Sequence, residues 1–239
     1  METFLEGKNA IVTGGTRGIG LAIAEALAAA GASVAICGRG HTTVENAVTH
    51  LLNRSKSKVV GKAADVRSST EVEGLFQFVD RELGGVDILV NNAGVGVFKS
   101  TADLTVEDWA KTLETNLSGA FYCSREALPR MRNRGAGYVI QIGSLAGKHA
   151  FAGGAAYNAS KSGLDAFSEA MMLDHRYEGV RVSCVMPGSV DTEFGRGHAG
   201  GADWKIAAVD VADIVLMLLK TPARTLISKV EVRPTKPQK

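Results

Sequence analysis

A tyrosine and a lysine lie one helical turn apart in the segment AAYNASKSG, at positions Tyr157 and Lys161. Residues four apart share one face of a helix, so this spacing predicts an ammonium group near a phenol. A free phenol titrates at about pH 10, too high for easy proton exchange at neutral pH, and a nearby cation favours the phenolate. Surface pairs of Tyr and Lys at this spacing are common. The pair therefore indicates acid/base chemistry only if other polar residues lie close to it.

Two further polar residues stand where they could join the pair. Ser144 ends the apolar segment YVIQIGS, which has the character of a buried strand, so a sheet edge would present its hydroxyl near the helix of Tyr157. Asn116 lies in ETNLSG within a helical pattern, where an amide side chain has poor helix propensity and needs a partner or is merely tolerated. The four residues together predict a site for proton transfer.

The glycine-rich segment TGGTRGIG, residues 13–20, follows an apolar strand and opens a helix. In that context Gly14 permits a tight turn, Gly18 lets the backbone approach a pyrophosphate, and Gly20 lets the helix pack closely on the strand. The N–H groups at the start of the helix would then face the phosphates. The segment predicts a dinucleotide site, and the alternative is a plain turn between strand and helix.

The end of the second strand bears on the choice of cofactor. NAD-binding proteins usually carry an acidic residue there, whereas this chain has Gly38 and Arg39. Arg39 and Arg17 could flank a 2′-phosphate with their planar donors, which favours NADP(H). An NAD-dependent enzyme is the alternative if both arginines face solvent. Asp65, after the third strand, could bind the adenine edge or cap the next helix.

The elements that would position these residues alternate along the chain. Two of the predicted helices begin with capping pairs, Ser68 with Glu71 and Thr105 with Asp108, and one helical pattern runs unbroken over residues 106–132. The alternation predicts an α/β fold, a Rossmann-type doubly wound parallel sheet of about seven strands with helices on both faces, as a single domain over 1–239. The strand-like segments are NAIVTG, SVAIC, KVVGKAAD, DILVNNAG, YVIQIGS, RVSCVMPG and TLISKVEV.

Composition excludes several classes of protein. A formal charge of +2, from 27 basic and 25 acidic residues, gives no excess that would signal nucleic acid or acidic lipid. The three cysteines are far apart and indicate neither a metal site nor a disulfide framework. The start METFLEGKNA lacks the features of a secretory signal, and no apolar segment approaches the roughly 20 residues of a membrane span. We therefore expect a cytoplasmic protein that binds no nucleic acid and no membrane.

The motifs together resemble the short-chain dehydrogenase/reductase family over almost the whole chain. The resemblance rests on TGGTRGIG, the DV pair at 65–66, NNAG at 91–94, Asn116, Ser144, Tyr157 with Lys161, and PGSVDT at 187–192. It implies that Tyr157 is the catalytic acid/base and that Ser144 holds the substrate oxygen. It also implies that Lys161 binds the nicotinamide ribose and lowers the tyrosine pKa, and that Asn116 holds a water linking Lys161 to solvent.

The resemblance further implies NADP(H) as the cofactor. In the PG segment, the backbone of Val190 and the hydroxyl of Thr192 would face the carboxamide and fix which nicotinamide face transfers hydride. The full set of cofactor-binding residues implied is Gly14, Thr16, Arg17, Gly18, Ile19, Gly20, Arg39, Asp65, Val66, Asn92, Ala93, Gly94, Tyr157, Lys161, Pro187, Gly188, Val190 and Thr192.

The function so implied is an NADP(H)-dependent oxidoreductase that interconverts a carbonyl and an alcohol. We expect a reductase of a ketone or a 3-oxoacyl-type substrate, because cellular NADP pools favour reduction. The alternative is an NADP-binding redox sensor or scaffold without turnover. The chain ends VEVRPTKPQK, where many 3-oxoacyl carrier-protein reductases have a glycine pair, and the acyl-carrier role and the tetramer contact both depend on that ending. The family habit is a homodimer or homotetramer.

The substrate pocket is expected to be mostly apolar. The glycine-rich residues 195–203 could form a small lid, and the tail RPTKPQK is expected to fray. Lys99 and Lys148 could meet a substrate carboxylate but are more typical of solvated side chains. The residues expected to border the substrate are Val97, Phe98, Leu145, His149, Phe151, Met186 and Phe194.

Overall fold

The computed structural model describes residues 3–194 and 203–237, and its strands form one fully parallel sheet. The strand order is β3-β2-β1-β4-β5-β6-β7, which confirms the predicted doubly wound, seven-stranded sheet. Each predicted apolar segment contributes one strand. The strands are β1 (Asn9–Thr13), β2 (Ser33–Gly38), β3 (Val59–Ala63), β4 (Ile88–Asn91), β5 (Gly137–Ile142), β6 (Val180–Pro187) and β7 (Lys229–Val232).

Helices cover both faces of the sheet. Alternate residues of a strand point to opposite faces, so along β1 Ala10 and Val12 pack into one apolar core while Ile11 packs into the other. The first core is closed by α1, α2 and α7, and the second by α3, α5 and α6. The helices are α1 (Gly18–Ala29), α2 (His41–Leu52), α3 (Ser69–Leu83), α4 (Val106–Leu113), α5 (Gly119–Asn133), α6 (Ala155–His175) and α7 (Ala208–Lys220).

A π-helical turn, Glu114–Ser118, separates α4 from α5. The sequence predicted one unbroken helix over this stretch, so the interruption corrects that prediction. Helix starts agree better with the sequence, since the Ser68 and Thr105 hydroxyls accept from the backbone N–H groups three residues later, at 3.2 and 3.1 Å. Both residues are therefore N-caps, as predicted.

The strand order reverses beside β1, which pairs with β2 on one side and with β4 on the other. Because all strands are parallel, their carboxyl ends meet at one edge, and ligands of such sheets bind where the order reverses. Thr13, Asn91 and Ile142 end strands at this edge. Within the described ranges, no helix has both the length and the apolar character needed to cross a bilayer. Residues 195–202 of the expected lid lie outside the described residues.

Candidate active site

The glycine-rich loop turns tightly between β1 and α1. Gly14 and Gly18 have φ angles of 64° and 54°, in the left-handed region that favours glycine. A Cβ atom on Gly20 would lie 2.3 Å from both the Asn92 Nδ2 atom and the Gly14 carbonyl oxygen. Arg17 precedes the helix, and no side chain caps it. The N–H groups of the first turn are thus available to an anion.

A threonine and an asparagine hold this loop to the end of β4. The Thr13 hydroxyl accepts from the backbone N–H groups of Asn92 and Ala93, both at 3.0 Å. In return, Asn92 Nδ2 donates to the carbonyl oxygens of Thr13 and Gly14, at 2.9 and 3.2 Å. The Asn92 side chain therefore shapes the glycine-rich loop. Sequence reasoning missed Thr13, whose only signal was a polar residue at the end of a buried strand.

Arginines surround the expected adenosine end of the site. Asp65 is held by the Arg67 guanidinium, whose Nε lies 3.0 Å and Nη2 2.6 Å from its oxygens, and this contact is the main cause of the lowered pKa of Asp65. Asp65 does not cap α3, because Ser68 does. Arg17 is exposed and meets Glu193 at 3.3 Å. Arg39 is also exposed, and among the described residues it has no hydrogen-bond or ion-pair partner.

The lysine of the predicted pair is deeply buried on α6. The Nζ atom of Lys161 lies 5.9 Å from the centroid of the Tyr157 ring and donates to the carbonyl oxygen of Ile142 at 2.8 Å. Only 5% of Lys161 is exposed. Burial disfavours the charged amine and lowers its pKa to about 8. The end of β5 therefore fixes the ammonium group, an anchor that the sequence did not reveal.

The tyrosine ring packs against two phenylalanines. The ring centroids of Phe98 and Phe194 are each 5.7 Å from that of Tyr157. Burial raises the pKa of the Tyr157 phenol above 10, and the Ser144 hydroxyl acts in the opposite direction. The net shift of the phenol pKa is therefore upward, opposite in direction to the lowering that the resemblance implied.

The Asn116 amide, in the π-helical turn, binds the loop that follows β4. Its Oδ1 accepts from the Val95 N–H at 2.8 Å, while its Nδ2 donates to the Val95 carbonyl and the Ser160 hydroxyl, both at 2.9 Å. A Cβ atom on Gly94 would lie 3.4 Å from Asn116 Oδ1 and 3.9 Å from Lys161 Nζ. Gly94 thus lies close to both polar groups. Of the two alternatives for Asn116, a partner or mere tolerance, the structure shows the first, with the Val95 backbone and the Ser160 hydroxyl as partners.

A cleft of about 530 Å³ opens beside Tyr157 and Ser144. Five of the expected border residues line it, namely Phe98, Leu145, His149, Phe151 and Phe194. The other two, Val97 and Met186, do not line it, and Met186 is fully buried in β6. Lys99 and Lys148 are paired with Asp108 and Glu231 instead of facing the cleft.

The C-terminal tail forms one wall of the cleft through Arg233, Pro234 and Pro237. The Gly188 N–H donates to the Val232 carbonyl oxygen at 2.8 Å, and a Cβ atom on Gly188 would lie 3.1 Å from Pro234 Cδ. The tail RPTKPQK was expected to fray, but its first residues do not: Pro234 packs on the chain that follows β6. Residues 235–237 are exposed, and 238–239 lie outside the described residues. The contact between Pro234 and Gly188 joins residues remote in sequence, which explains why the prediction was wrong for the start of the tail.

The glycine loop and the cleft are contiguous. A Cβ atom on Gly18 would lie 3.4 Å from Thr192 Cγ2, and both Val190 and Thr192 line the cleft. Ser144 Oγ lies 3.5 Å from the Pro187 carbonyl oxygen, which brings the ends of β5 and β6 together. These features fit an extended dinucleotide. The start of α1 is uncapped, the loop glycines leave room for a ligand, and the Lys161 ammonium is buried on α6.

Comparison with known proteins finds that the chain is similar to dehydrogenases and other oxidoreductases. A family model described as short chain dehydrogenase matches residues 8–199. An uncharacterized oxidoreductase of Staphylococcus aureus is 32% identical over 232 residues, which cover 97% of this chain and 99% of the relative.

Two solved structures are similar over nearly the full length. An alcohol dehydrogenase from the archaeon Thermococcus sibiricus, complexed with 5-hydroxy-NADP, has a TM-score of 0.91 at 28% identity and covers 97% of this chain and 99% of its own. A variant of actinorhodin polyketide ketoreductase with NADPH has a TM-score of 0.87 at 32% identity and covers 95% and 96%. Coverage of this extent means that the similarity is not confined to the half of the sheet with the glycine loop.

Proposed function

The chain belongs to the short chain dehydrogenase family, and from this membership we propose that it is an NADP(H)-dependent oxidoreductase that interconverts a carbonyl compound and an alcohol. One observation carries the proposal: Tyr157 and Ser144 face a cleft that adjoins the glycine loop. A proton donor and a hydrogen-bonding hydroxyl beside a dinucleotide site are what carbonyl reduction requires.

The cofactor would be held along the carboxyl edge of the sheet. Gly18, Ile19 and Gly20 offer N–H groups to the pyrophosphate. Asn92, Ala93 and Gly94 would border the part of the cofactor that follows, and the Thr13 hydroxyl holds the backbone of Asn92 and Ala93 in place. When bound, NADPH supplies the hydride. The remaining residues proposed for this site are Gly14, Thr16, Arg17, Arg39, Asp65, Val66, Tyr157, Lys161, Pro187, Gly188, Val190 and Thr192.

Tyr157 is the proposed proton donor for reduction. Its raised pKa keeps the phenol protonated at neutral pH, so the Oη proton can pass to a carbonyl oxygen that the Ser144 hydroxyl orients. Below about pH 8 Lys161 is charged, and its ammonium beside the ring stabilises the phenolate left behind. We assign Asn116 to holding a water that returns protons from solvent toward Lys161.

Two lines of support favour NADP(H) over NAD. Arg39 follows β2 in place of a carboxylate, and in the described structure its guanidinium is free of ion pairs and accessible to a phosphate. Arg17 pairs with Glu193 only at an exposed position, where ion pairs contribute little, so a 2′-phosphate can displace that contact. The similar structures with 5-hydroxy-NADP and NADPH are consistent with this preference.

A ketone or 3-oxoacyl-type substrate is the proposed class, and reduction the proposed direction. The phenyl rings of Phe98, Phe151 and Phe194 give the cleft an apolar wall, which suits an acyl or alkyl chain. The similarity to a polyketide ketoreductase supports a substrate of that kind.

We also propose self-association through the helices around the site, as a homodimer or homotetramer. Exposed apolar side chains lie on α4, α5 and α6, including Trp109 at 41%, Phe121 at 44% and Leu173 at 52% exposure. Burying them against a second copy would remove apolar surface from water. Light scattering of wild type and Phe121→Glu tests this, because a wild-type monomer at working concentration would contradict it.

The decisive experiment follows NADPH consumption with acyl thioesters, diketones, quinones, steroids and aldehydes, in wild type and Tyr157→Phe. We expect turnover that falls by about 10²- to 10⁴-fold in the variant while NADPH affinity stays unchanged, because only the proton donor is removed. Tyr177→Phe, at a ring that is 93% exposed, is the matched control. Near-normal rates in Tyr157→Phe would contradict the assigned role.

A further inference from the structure

We propose that Arg233 binds an anionic group of the substrate, so that the preferred substrates are carbonyl compounds with a carboxylate or phosphate remote from the reacting carbonyl. The inference deepens the proposed function and rests on it. Arg233 lines the cleft that also holds Tyr157 and Ser144, so one molecule can reach both ends.

The position of Arg233 is set by the strand before it. Val232 ends β7 and accepts from the Gly188 N–H, and Pro234 packs against Gly188 on the other side. The guanidinium itself is held through Nη2, 2.9 Å from Glu231 Oε2 and 3.1 Å from His149 Nε2. Within the described structure its Nε and Nη1 donors have no protein partner, so they remain for a ligand.

The charge of this wall is positive. Glu231 also meets Lys148 at 2.7 Å, so one carboxylate is shared by two cations and cannot neutralise both. Lys205 lines the same cleft and has no ion-pair partner among the described residues. The described lining contains Arg233 and Lys205 but no carboxylate, which makes the cleft attractive to anions.

The apolar wall between the two ends defines the rest of the substrate. Phe98 and Phe151 pack at 5.7 Å beside the tyrosine, and Leu145 lines the cleft with them. An aliphatic or aromatic spacer between the carbonyl and the anionic group would meet these side chains. A free oxo acid and a 3-oxoacyl thioester of phosphopantetheine both satisfy this description.

The experiment compares charged and neutral partners of the same compound. The probes are levulinate and longer oxo acids against their methyl esters, and 3-oxoacyl phosphopantetheine against the corresponding N-acetylcysteamine thioester. Wild type should favour the charged member, and Arg233→Met should raise KM for that member by about ten- to a hundredfold with little change for the neutral one. Arg54→Met, at a surface arginine paired with Glu25 on another face, is the control for lost charge.

The outcomes separate the two proposals. If Arg233→Met changes charged and neutral substrates equally, or if wild type favours the neutral member, the inference is wrong while the reductase function stands. An effect of Arg233→Met confined to the oxo acids would identify a carboxylate as the bound group, and an effect confined to the phosphopantetheine thioester would identify a phosphate. If wild type turns over no compound, the proposed function fails, and quenching of Trp204 fluorescence by the oxo acids still decides the inference: weaker quenching in Arg233→Met supports it, and equal quenching overturns it.

Discussion

The Asn116 side chain pairs with both backbone polar groups of Val95, accepting from its N–H at 2.8 Å and donating to its carbonyl at 2.9 Å. Asn116 is almost fully buried, with 1% exposed. A buried backbone N–H and carbonyl need such partners, so this amide replaces the pairing that a strand would give. Asn116 lies in the π-helical turn Glu114–Ser118.

Asn116→Leu should lower the free energy of unfolding by about 2–4 kcal/mol, because both Val95 groups would be left unpaired. Ser160→Ala leaves both Val95 groups paired, and it removes the third hydrogen bond of the amide together with the one that the Ser160 hydroxyl donates to the Tyr157 carbonyl oxygen. It should cost about 1 kcal/mol. Urea unfolding of both variants measures the difference. Equal losses of unfolding free energy in the two variants would mean that the hydrogen bonds to Val95 do not contribute the predicted stability.

Gly20→Ala and Gly74→Ala should change stability in opposite directions. A Cβ atom on Gly20 would lie 2.3 Å from atoms of Asn92 and Gly14, so we expect a loss of about 2 kcal/mol or more and weaker NADPH binding. On Gly74, in α3, the nearest atom is 3.9 Å away, and alanine should add about 0.5–1 kcal/mol. Thermal unfolding measures both changes, and a neutral Gly20→Ala would contradict the crowding at the loop.

Lys161 should make stability depend on pH in a definite direction. Its pKa is about 8 in the folded protein and 10.5 when unperturbed, so between these values the unfolded chain holds a proton that the folded protein has released. The contribution of this group to stability therefore rises with pH, by up to about 3 kcal/mol across the interval.

Urea unfolding of wild type and Lys161→Met across this range isolates that contribution, because other groups cancel in the difference. We expect a constant difference below about pH 8 and a relative gain by wild type above it. A difference that never changes with pH would show that the ammonium stays charged in the folded protein.

Arg39→Ala should weaken NADPH binding by about tenfold or more and leave NADH binding unchanged, because a charge-assisted contact to the 2′-phosphate is lost. Fluorescence titration with both cofactors measures the ratio, and Arg54→Ala serves as the control. If the ratio of the two affinities in Arg39→Ala equals that of wild type, the NADP assignment is wrong and an NAD-dependent enzyme takes its place.

The architecture could be read from short segments because buried parallel strands and amphipathic helices carry their signals locally. The N-caps at Ser68 and Thr105 are local signals of the same kind, and the structure confirms them. The π-helical turn was not predicted, and the contact that its Asn116 makes is to Val95, 21 residues away. Sequence spacing near three and four cannot register that one turn holds an extra residue.

The candidate site shows the same division. The glycine loop and the Tyr157–Lys161 spacing are local patterns, whereas the approach of Arg233 to His149 spans 84 residues. The lowered pKa of Lys161 also could not be predicted from the sequence, because it depends on burial of the side chain beside the end of β5. What the sequence leaves out is therefore the set of contacts that only the folded chain brings together.

The hydrogen bonds between Thr13 and Asn92 join residues 79 positions apart, so they can form only after β4 has joined β1. During synthesis β1, β2 and β3 can pair before β4 exists, but such an intermediate has only half of the crevice. Such an intermediate holds the glycine loop and Arg39 but lacks Asn92, Ala93 and Gly94. A nucleotide would therefore bind the completed sheet more tightly than the intermediate and would favour the last step of assembly. The cofactor would thus act as a late checkpoint on correct folding as well as a reactant.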